Sequence, residues 1–218
     1  MNKWNVFAKQ NPYWYIDTNF NGDQKKFWQN GQEQADFIFE TVGRYLQQTH
    51  TVSEIGCGLG RVLIPLSHRF SKAQGIDISD EMLKLLNSQS SKFNTSNITS
   101  FLPQMDWGQS RSDLVFSILT FQHINKWSKI TNYINQTSKN LNYKGIAYFQ
   151  FDTRPQTIFY KTKRKLPTFL KRKTWKNDIA RIRRNRKNLV NQFKLNKLRI
   201  INELNPNTAN NIFILQKR

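Results

Sequence analysis

The chain has 218 residues, which suits one large domain or one domain with a small addition and argues against a multi-domain machine. With 38% hydrophobic and 13% aromatic residues it has enough apolar side chains for a buried core, which excludes an intrinsically disordered chain. The formal net charge of +20 is concentrated in residues 151–218, which carry 19 Lys and Arg against 3 Asp and Glu.

Other classes of protein are excluded by what the chain lacks. No apolar run approaches the ~18 residues of a membrane span, and residues 1–10 contain no apolar segment of a secretion signal. We therefore expect a soluble, cytoplasmic protein. The single cysteine, Cys57, cannot form an internal disulfide or a thiolate zinc cluster, so we expect no metal.

The predicted elements begin with an aromatic segment. Residues 1–30 contain eight aromatic side chains around Pro12 and Gly22 and have an irregular pattern; they predict an N-terminal aromatic and helical cap. Residues 31–48 place apolar side chains on one face at helical spacing and predict an amphipathic helix. A strand over 51–55, a glycine turn and a helix over 61–70 follow, with Pro65 predicting a mild kink in that helix.

Strands and helices then alternate along the chain. Strands are predicted at 73–78, 98–102, 113–119 and 145–151, and helices at 79–88, with Ser79 as its N-cap, and at 130–141. Residues 171–195 predict a basic helix with one apolar stripe, and residues 197–204 and 211–216 predict a hairpin that closes the sheet. This order is typical of an α/β fold with a mostly parallel sheet covered on both faces.

The turn after the first strand has an unusual glycine pattern, Glu-Ile-Gly-Cys-Gly-Leu-Gly-Arg over residues 54–61. A dinucleotide-binding GxGxxG motif would need a glycine at position 61, where this chain has Arg61. The shorter GxGxG turn still lets a ligand approach the backbone at the carboxyl edge of the strand. Asp77 ends the next strand and can accept hydrogen bonds from two ribose hydroxyls, which indicates an adenosine-type cofactor.

Four segments occur together in this order: TVSEIGCGLGRVL, GIDISDEMLKLL, SDLVFSILTFQHI and LNYKGIAYFQF. Together they resemble class I S-adenosylmethionine-dependent methyltransferases over roughly residues 45–155. The resemblance implies a seven-stranded, mostly parallel Rossmann-like sheet, S-adenosylmethionine as cofactor, and methyl transfer as the reaction. The single domain would comprise a cap and first helix over 1–50, a cofactor-binding core over 51–151, and a basic segment with closing strands over 152–218.

The resemblance also implies roles for individual residues. Glu54 would receive the cofactor's amino group, the glycine loop would pass beneath the methionine portion, and Asp77 would hold the ribose. Ile78 and Met82 would contact the adenine, although Met82 also suits an ordinary helix core and Glu54 could cap a turn. Asp106, or Gln104 in its place, would accept from the adenine amino group. The full predicted set is Glu54, Gly56, Cys57, Gly58, Gly60, Arg61, Asp77, Ile78, Met82, Asp106, Trp107 and Ser117.

His123 is the candidate general base, because it follows the fourth strand at the ligand edge and has an unperturbed pKa near ~6.5. The alternative is a histidine that only packs there or caps the next helix. Tyr13, Trp14 and Tyr15 would form either a lid over the cofactor or the core of the cap.

The acceptor is predicted to be an O- or N-nucleophile on a small molecule, glycan or lipid-linked intermediate. We expect it to be anionic, because the basic residues 152–173 leave the sheet on the cofactor edge and so lie near the acceptor. The run Arg181, Arg183, Arg184 and Lys187 is interpreted as the solvated face of the last helix.

Three alternatives to this function remain: RNA methylation through the basic segment, peripheral membrane contact, and a catalytically idle adenosylmethionine-binding recruitment protein. A coding bias towards Lys and Asn would also account for the charge.

Overall fold

A computed structural model of the chain describes residues 2–17, 23–105, 111–165 and 181–218. Its sheet has seven strands in the order β3-β2-β1-β4-β5-β7-β6. Strands β1 to β5 are parallel, whereas β7 runs antiparallel to both of its neighbours. The predicted mostly parallel sheet is confirmed. The strands are β1 Thr51–Ile55, β2 Lys72–Ile76, β3 Ile98–Phe101, β4 Ser112–Ser117, β5 Leu141–Phe151, β6 Leu198–Leu204 and β7 Asn211–Lys217.

The helices alternate with the strands and also form the N-terminal segment. They are α1 Lys3–Gln10, α2 Pro12–Ile16, α3 Gln24–Val42, α4 Leu63–Ser67, α5 Asp80–Lys92, α6 Trp127–Asn140, α7 Ile158–Lys165 and α8 Arg186–Leu195, with 3₁₀ turns at Gly43–Tyr45 and Phe121–His123. As predicted, Ser79 caps α5, and its hydroxyl accepts from the Met82 N–H at 3.1 Å.

The N-terminal cap is helical in the described part of residues 1–30, although the sequence pattern there looks irregular. Asn2, Asn11 and Asp23 each accept a hydrogen bond from a main-chain N–H in the first turn of α1, α2 and α3. Pro12 occupies the first turn of α2, where its missing N–H costs no helical hydrogen bond. These start signals outweigh the aromatic composition, so the segment folds as three helices.

The core lies in two layers, one on each face of the sheet. Side chains of α3, α4 and α5 cover one face, and those of α6 and α8 cover the other. Strand β5 serves both, because Tyr148 points into the first layer while Phe149 and Phe151 point into the second. Burying both faces leaves the carboxyl edge of the parallel strands as the place where ligands bind such sheets.

Residues 181–184 differ from the prediction that they belong to the last helix. They are extended: the Ile182 N–H donates to the Gln122 carbonyl and the Arg184 N–H to the Asp152 carbonyl, both at 2.7 Å. Helix α8 begins only after Asn185, whose side chain caps it. Arg184 is 9% exposed and donates to the carbonyls of Ile124 and Asn125, so its interpretation as a solvated residue is wrong.

Candidate active site

The loop between β1 and α4 depends on glycine. Gly56, Gly58 and Gly60 have φ values of +77°, +53° and +93°, a region that other residues rarely adopt. A Cβ on Gly56 would lie 2.2 Å from the Thr120 hydroxyl oxygen, so a side chain there would collide with the turn after β4. The loop backbone therefore passes close to the end of β4.

Asp77 follows β2 and fixes this loop from the side. Its Oδ2 accepts from the Gly58 N–H and its Oδ1 from the Ser79 N–H, each at 2.9 Å. Burial raises the pKa of the Asp77 carboxyl, and the backbone hydrogen bonds oppose that shift. Each carboxylate oxygen keeps a second lone pair with which to accept a hydroxyl.

Glu54 is the penultimate residue of β1 and is 3% exposed. Its Oε2 has no hydrogen-bond partner among the residues that the structure describes. The pKa of Glu54 is raised to about 8, because burial and, to a smaller extent, the charge of Asp77 raise it more than the charge of Arg61 lowers it. A buried carboxylate oxygen without a donor is suited to an incoming ammonium group.

These groups line a cavity of about 710 Å³ at the carboxyl edge of the sheet. The predicted residues that it brings together are Glu54, Gly56, Cys57, Gly58, Arg61, Asp77, Ile78, Met82 and His123, along with the alternative Gln104. Gly60 and Ser117 lie outside its lining: Gly60 faces Leu86 and Ile64, and the Ser117 hydroxyl donates to the Ile55 carbonyl. Asp106 and Trp107 fall outside the described residues.

Sequence reasoning missed other residues of this cavity. Trp4 lines it and packs at an angle against the His123 ring, with 6.0 Å between the ring centroids. Tyr133 of α6 also lines it, and burial, followed by the charge of Asp77, raises the pKa of its hydroxyl. Both come from segments distant in sequence, and neither has a local pattern that indicates a ligand.

A second cavity of about 470 Å³ adjoins the first. The two share five lining residues, namely Tyr15, Ile16, Ile118, Leu119 and His123. The second cavity is otherwise lined by α3, β5, β7 and neighbouring loops, with Gln34, Tyr148, Gln150, Arg181 and Asn210 as its principal polar side chains. Of the predicted lid residues, Tyr15 thus lies where the cavities meet, whereas Tyr13 packs against Phe27.

Arg61 connects the glycine loop to helix α3. Its guanidinium donates to the side chains of Asn30 and Gln34. Helix α3 approaches so closely that a Cβ on Gly31 would lie 2.1 Å from the Arg61 carbonyl oxygen. Burial lowers the pKa of Arg61, and the charges of Asp17 and Glu54 oppose that shift. The wall of the cavity is thus held by a buried cation in contact with α3.

The strand order, the glycine loop after β1 and the carboxylate after β2 together define the class I S-adenosylmethionine-dependent methyltransferase fold. The chain also matches a family model described as a methyltransferase domain over residues 52–145. The resemblance recognised from the sequence is therefore confirmed: residues 52–145 match the methyltransferase-domain family, and the chain has the fold of class I S-adenosylmethionine-dependent methyltransferases. No curated protein matches it in a sequence comparison.

Solved structures share the fold at low sequence identity. A methyltransferase from Clostridium acetobutylicum is 15% identical with a TM-score of 0.66, covering 99% of both chains. Magnesium protoporphyrin IX methyltransferase from Synechocystis, solved with bound SAH, is 15% identical with a TM-score of 0.62, covering 94% of this chain and 97% of its own. An amino pentose methyltransferase from Micromonospora echinaspora, solved with SAM, is 10% identical with a TM-score of 0.67, covering 86% and 92%.

The residues present fit the cofactor. Glu54 offers an orphaned buried oxygen for the methionine ammonium, and Asp77 offers carboxylate lone pairs for the ribose, on two neighbouring strands. Within the described ranges no helix is long and apolar enough to cross a membrane.

Proposed function

We propose that the protein transfers a methyl group from S-adenosylmethionine to an oxygen or nitrogen nucleophile of a small molecule held in the second cavity. The observation that carries this proposal is the contact between the two cavities at Tyr15, Leu119 and His123. A donor in one cavity and an acceptor in the other would meet at these residues. The volume of about 470 Å³ suits a small molecule or a single sugar unit.

In the first cavity, Glu54 would bind the ammonium of the methionine portion and Asp77 the ribose hydroxyls. Ile78 and Met82 would contact the adenine. When bound, S-adenosylmethionine supplies a methyl carbon activated by the positive charge of its sulfur. The chain's contribution is then mainly to orient the acceptor in line with that carbon and to exclude water.

His123 would act as the base for a hydroxyl acceptor. The acceptor's lone pair forms the new bond to the methyl carbon, the electron pair of the broken bond stays on sulfur, and His123 takes the hydroxyl proton. Its Nε2 lies 3.2 Å from Nε2 of Gln122, and its ring lines both cavities. An unperturbed imidazole has a pKa near ~6.5, close to the value that suits a base at neutral pH.

A small acceptor is favoured over RNA by how the basic residues near the site are used. Arg184 donates to two main-chain carbonyls, and Arg183 donates to the Pro155 carbonyl and stacks on Tyr160. Among the described residues, these two cations are used in contacts within the chain, whereas a polyanion would need free cations. As part of this proposal the enzyme acts in the cytoplasm.

The proposal is tested by incubating the protein with labelled S-adenosylmethionine and cell extract, then separating RNA, protein, lipid and small-molecule fractions. We expect label in the small-molecule fraction and much less with the Asp77→Ala variant. Label in the RNA fraction would show that RNA is the methyl acceptor and would overturn the assignment of a small-molecule acceptor. Binding of S-adenosylhomocysteine without any transfer would instead favour an idle binding protein.

A further inference from the structure

We infer that Arg181 recognises a carboxylate on the acceptor and that the second cavity selects an aromatic carboxylate. This inference rests on the proposed function, because it assigns the second cavity to the acceptor. Four features carry it: the placement of Arg181, its lack of an ion-pair partner, the Tyr148 hydroxyl, and the aromatic rings that line the cavity.

The chain holds Arg181 at the edge of the second cavity by main-chain contacts. Ile182 is buried and donates to Gln122, and Arg183 forms a parallel bridge with Asp152 at the end of β5. Because extended residues alternate in direction, Arg181 points away from the buried side of Ile182. Its guanidinium donates to the Asn210 side chain at 3.4 Å and lines the cavity.

Arg181 forms no ion pair within the part of the chain that the structure describes. The carboxylate of Asp17 also lines this cavity, but its charge acts on the buried Arg61. Among the described residues of the lining, Arg181 is thus the arginine with which a ligand can pair. One guanidinium binds one carboxylate with two parallel hydrogen bonds, whereas phosphates and polyanions usually meet several cations.

Tyr148 contributes a second donor deeper in the cavity. Its side chain is 2% exposed and lines the cavity from β5, two residues before Gln150. Because Tyr148 lines the cavity, its hydroxyl is placed to donate a hydrogen bond to a ligand there. Burial raises its pKa, so the hydroxyl stays protonated and can donate to a polar atom of the acceptor.

The remaining lining indicates a planar ring. Phe37 of α3 lines the cavity and is 50% exposed, so its ring is accessible to a ligand there. Tyr15 belongs to the wall that the two cavities share, and its ring is stacked on Phe7 with 3.9 Å between ring centroids. Rigid aromatic faces of this kind favour stacking with an aromatic ligand.

The test uses protein loaded with S-adenosylhomocysteine and three probes on one ring: para-hydroxybenzoate, para-hydroxybenzamide and para-hydroxybenzylamine. Calorimetry should show the acid binding roughly tenfold more tightly than the amide, and the amine more weakly than both. Arg181→Met should remove the preference for the acid. Tyr148→Phe should weaken the acid and the amide alike.

Lys187→Met is the matched control, since it removes the same charge from an exposed position of α8 outside both cavities. It should leave all three affinities unchanged. The inference is overturned if the amide binds as well as the acid, if no probe binds, if both charge variants behave alike, or if phenyl phosphate binds more tightly than the acid. Failure to load S-adenosylhomocysteine would instead count against the proposed function.

Discussion

The main-chain N–H of Leu119 donates to Oε1 of Gln150 at 2.8 Å, in the wall that the two cavities share. Leu119 has a φ of +55°, which a leucine adopts only at a cost of about 1–2 kcal/mol. Gln150 also donates to the Asn210 side chain at 2.9 Å. The strained turn after β4 is thus tied to β5, so the boundary between the two cavities depends on a residue of the acceptor side.

We predict that Gln150→Leu destabilises the fold by about 1–3 kcal/mol, because it leaves the Leu119 N–H without its acceptor. Methyl transfer should fall more than cofactor affinity does. Denaturant unfolding and calorimetry with S-adenosylhomocysteine measure the two effects. Asn210→Ala is the control, since it removes the side chain that accepts from Gln150 and Arg181 but leaves the Leu119 hydrogen bond in place. If Gln150→Leu is no less stable than that control, the hydrogen bond does not hold the turn.

Asp77→Ala should lower the affinity for S-adenosylhomocysteine by about 1–3 kcal/mol, because hydrogen bonds from the ribose to a charged group are lost. Calorimetry gives the affinity, and circular dichroism checks that the loop still folds without the Asp77 contacts to Gly58 and Ser79. Glu40→Ala removes the same charge from an exposed position of α3 and should bind normally. An unchanged affinity for Asp77→Ala would remove this residue from the site.

Glu54 should release a proton when the cofactor binds. With its pKa raised to about 8, the free protein holds Glu54 mostly protonated at about pH 7, and an ammonium ligand favours the ionised form. Binding should therefore release close to one proton, and affinity should rise with pH up to about 8. Above that, the ligand's own amine, with an ordinary pKa of ~8, loses its charge. The affinity thus peaks near the pKa of Glu54.

Calorimetric titrations of S-adenosylhomocysteine in two buffers of different ionisation enthalpy measure this proton release. Glu54→Gln should abolish it and flatten the rising part of the pH profile. Proton release of the same size in Glu54→Gln would assign the linkage to another group.

Gly31→Ala should destabilise the protein by about 1–3 kcal/mol or more, because the added Cβ meets the Arg61 carbonyl oxygen, which is main chain and cannot rotate away. Gly43→Ala is the matched control: its Cβ would meet only the Phe39 ring at 3.9 Å. The control should be neutral or more stable, by about 0.4–1 kcal/mol. Equal midpoints in denaturant would show that α3 can move away from the glycine loop.

His123→Asn should reduce turnover by about 10²-fold with the acceptor identified in the extract screen, while affinity for S-adenosylhomocysteine stays near wild type. The rate should rise with pH through the imidazole pKa in wild type and lose that dependence in the variant. Wild-type turnover in His123→Asn would leave the histidine with a packing role beside Trp4.

Local patterns in the sequence predicted the parts of the site that local geometry controls. The glycine loop, Asp77 and the Ser79 cap each follow from the conformation of a few consecutive residues. Tyr148 and Gln150 could also have been found, because polar side chains two apart in an apolar strand share one face. Tyr133 and Arg181 had no such signal. Arg181 is placed by the pairing of residues 181–184 with Asp152 and Gln122, distant contacts that outweigh the helical spacing of apolar residues around it.

The position of β7 between β5 and β6 affects how the chain reaches its native state. About 60 residues separate the end of β5 from the start of β7, so during synthesis β5 remains an open edge until that length has been made. This edge is apolar over much of its length, and unpaired apolar edges promote association between chains. Nascent chains stopped before residue 211 should therefore aggregate or bind chaperones. This is expected even though β1, which carries Glu54, and β2, which Asp77 follows, are already complete.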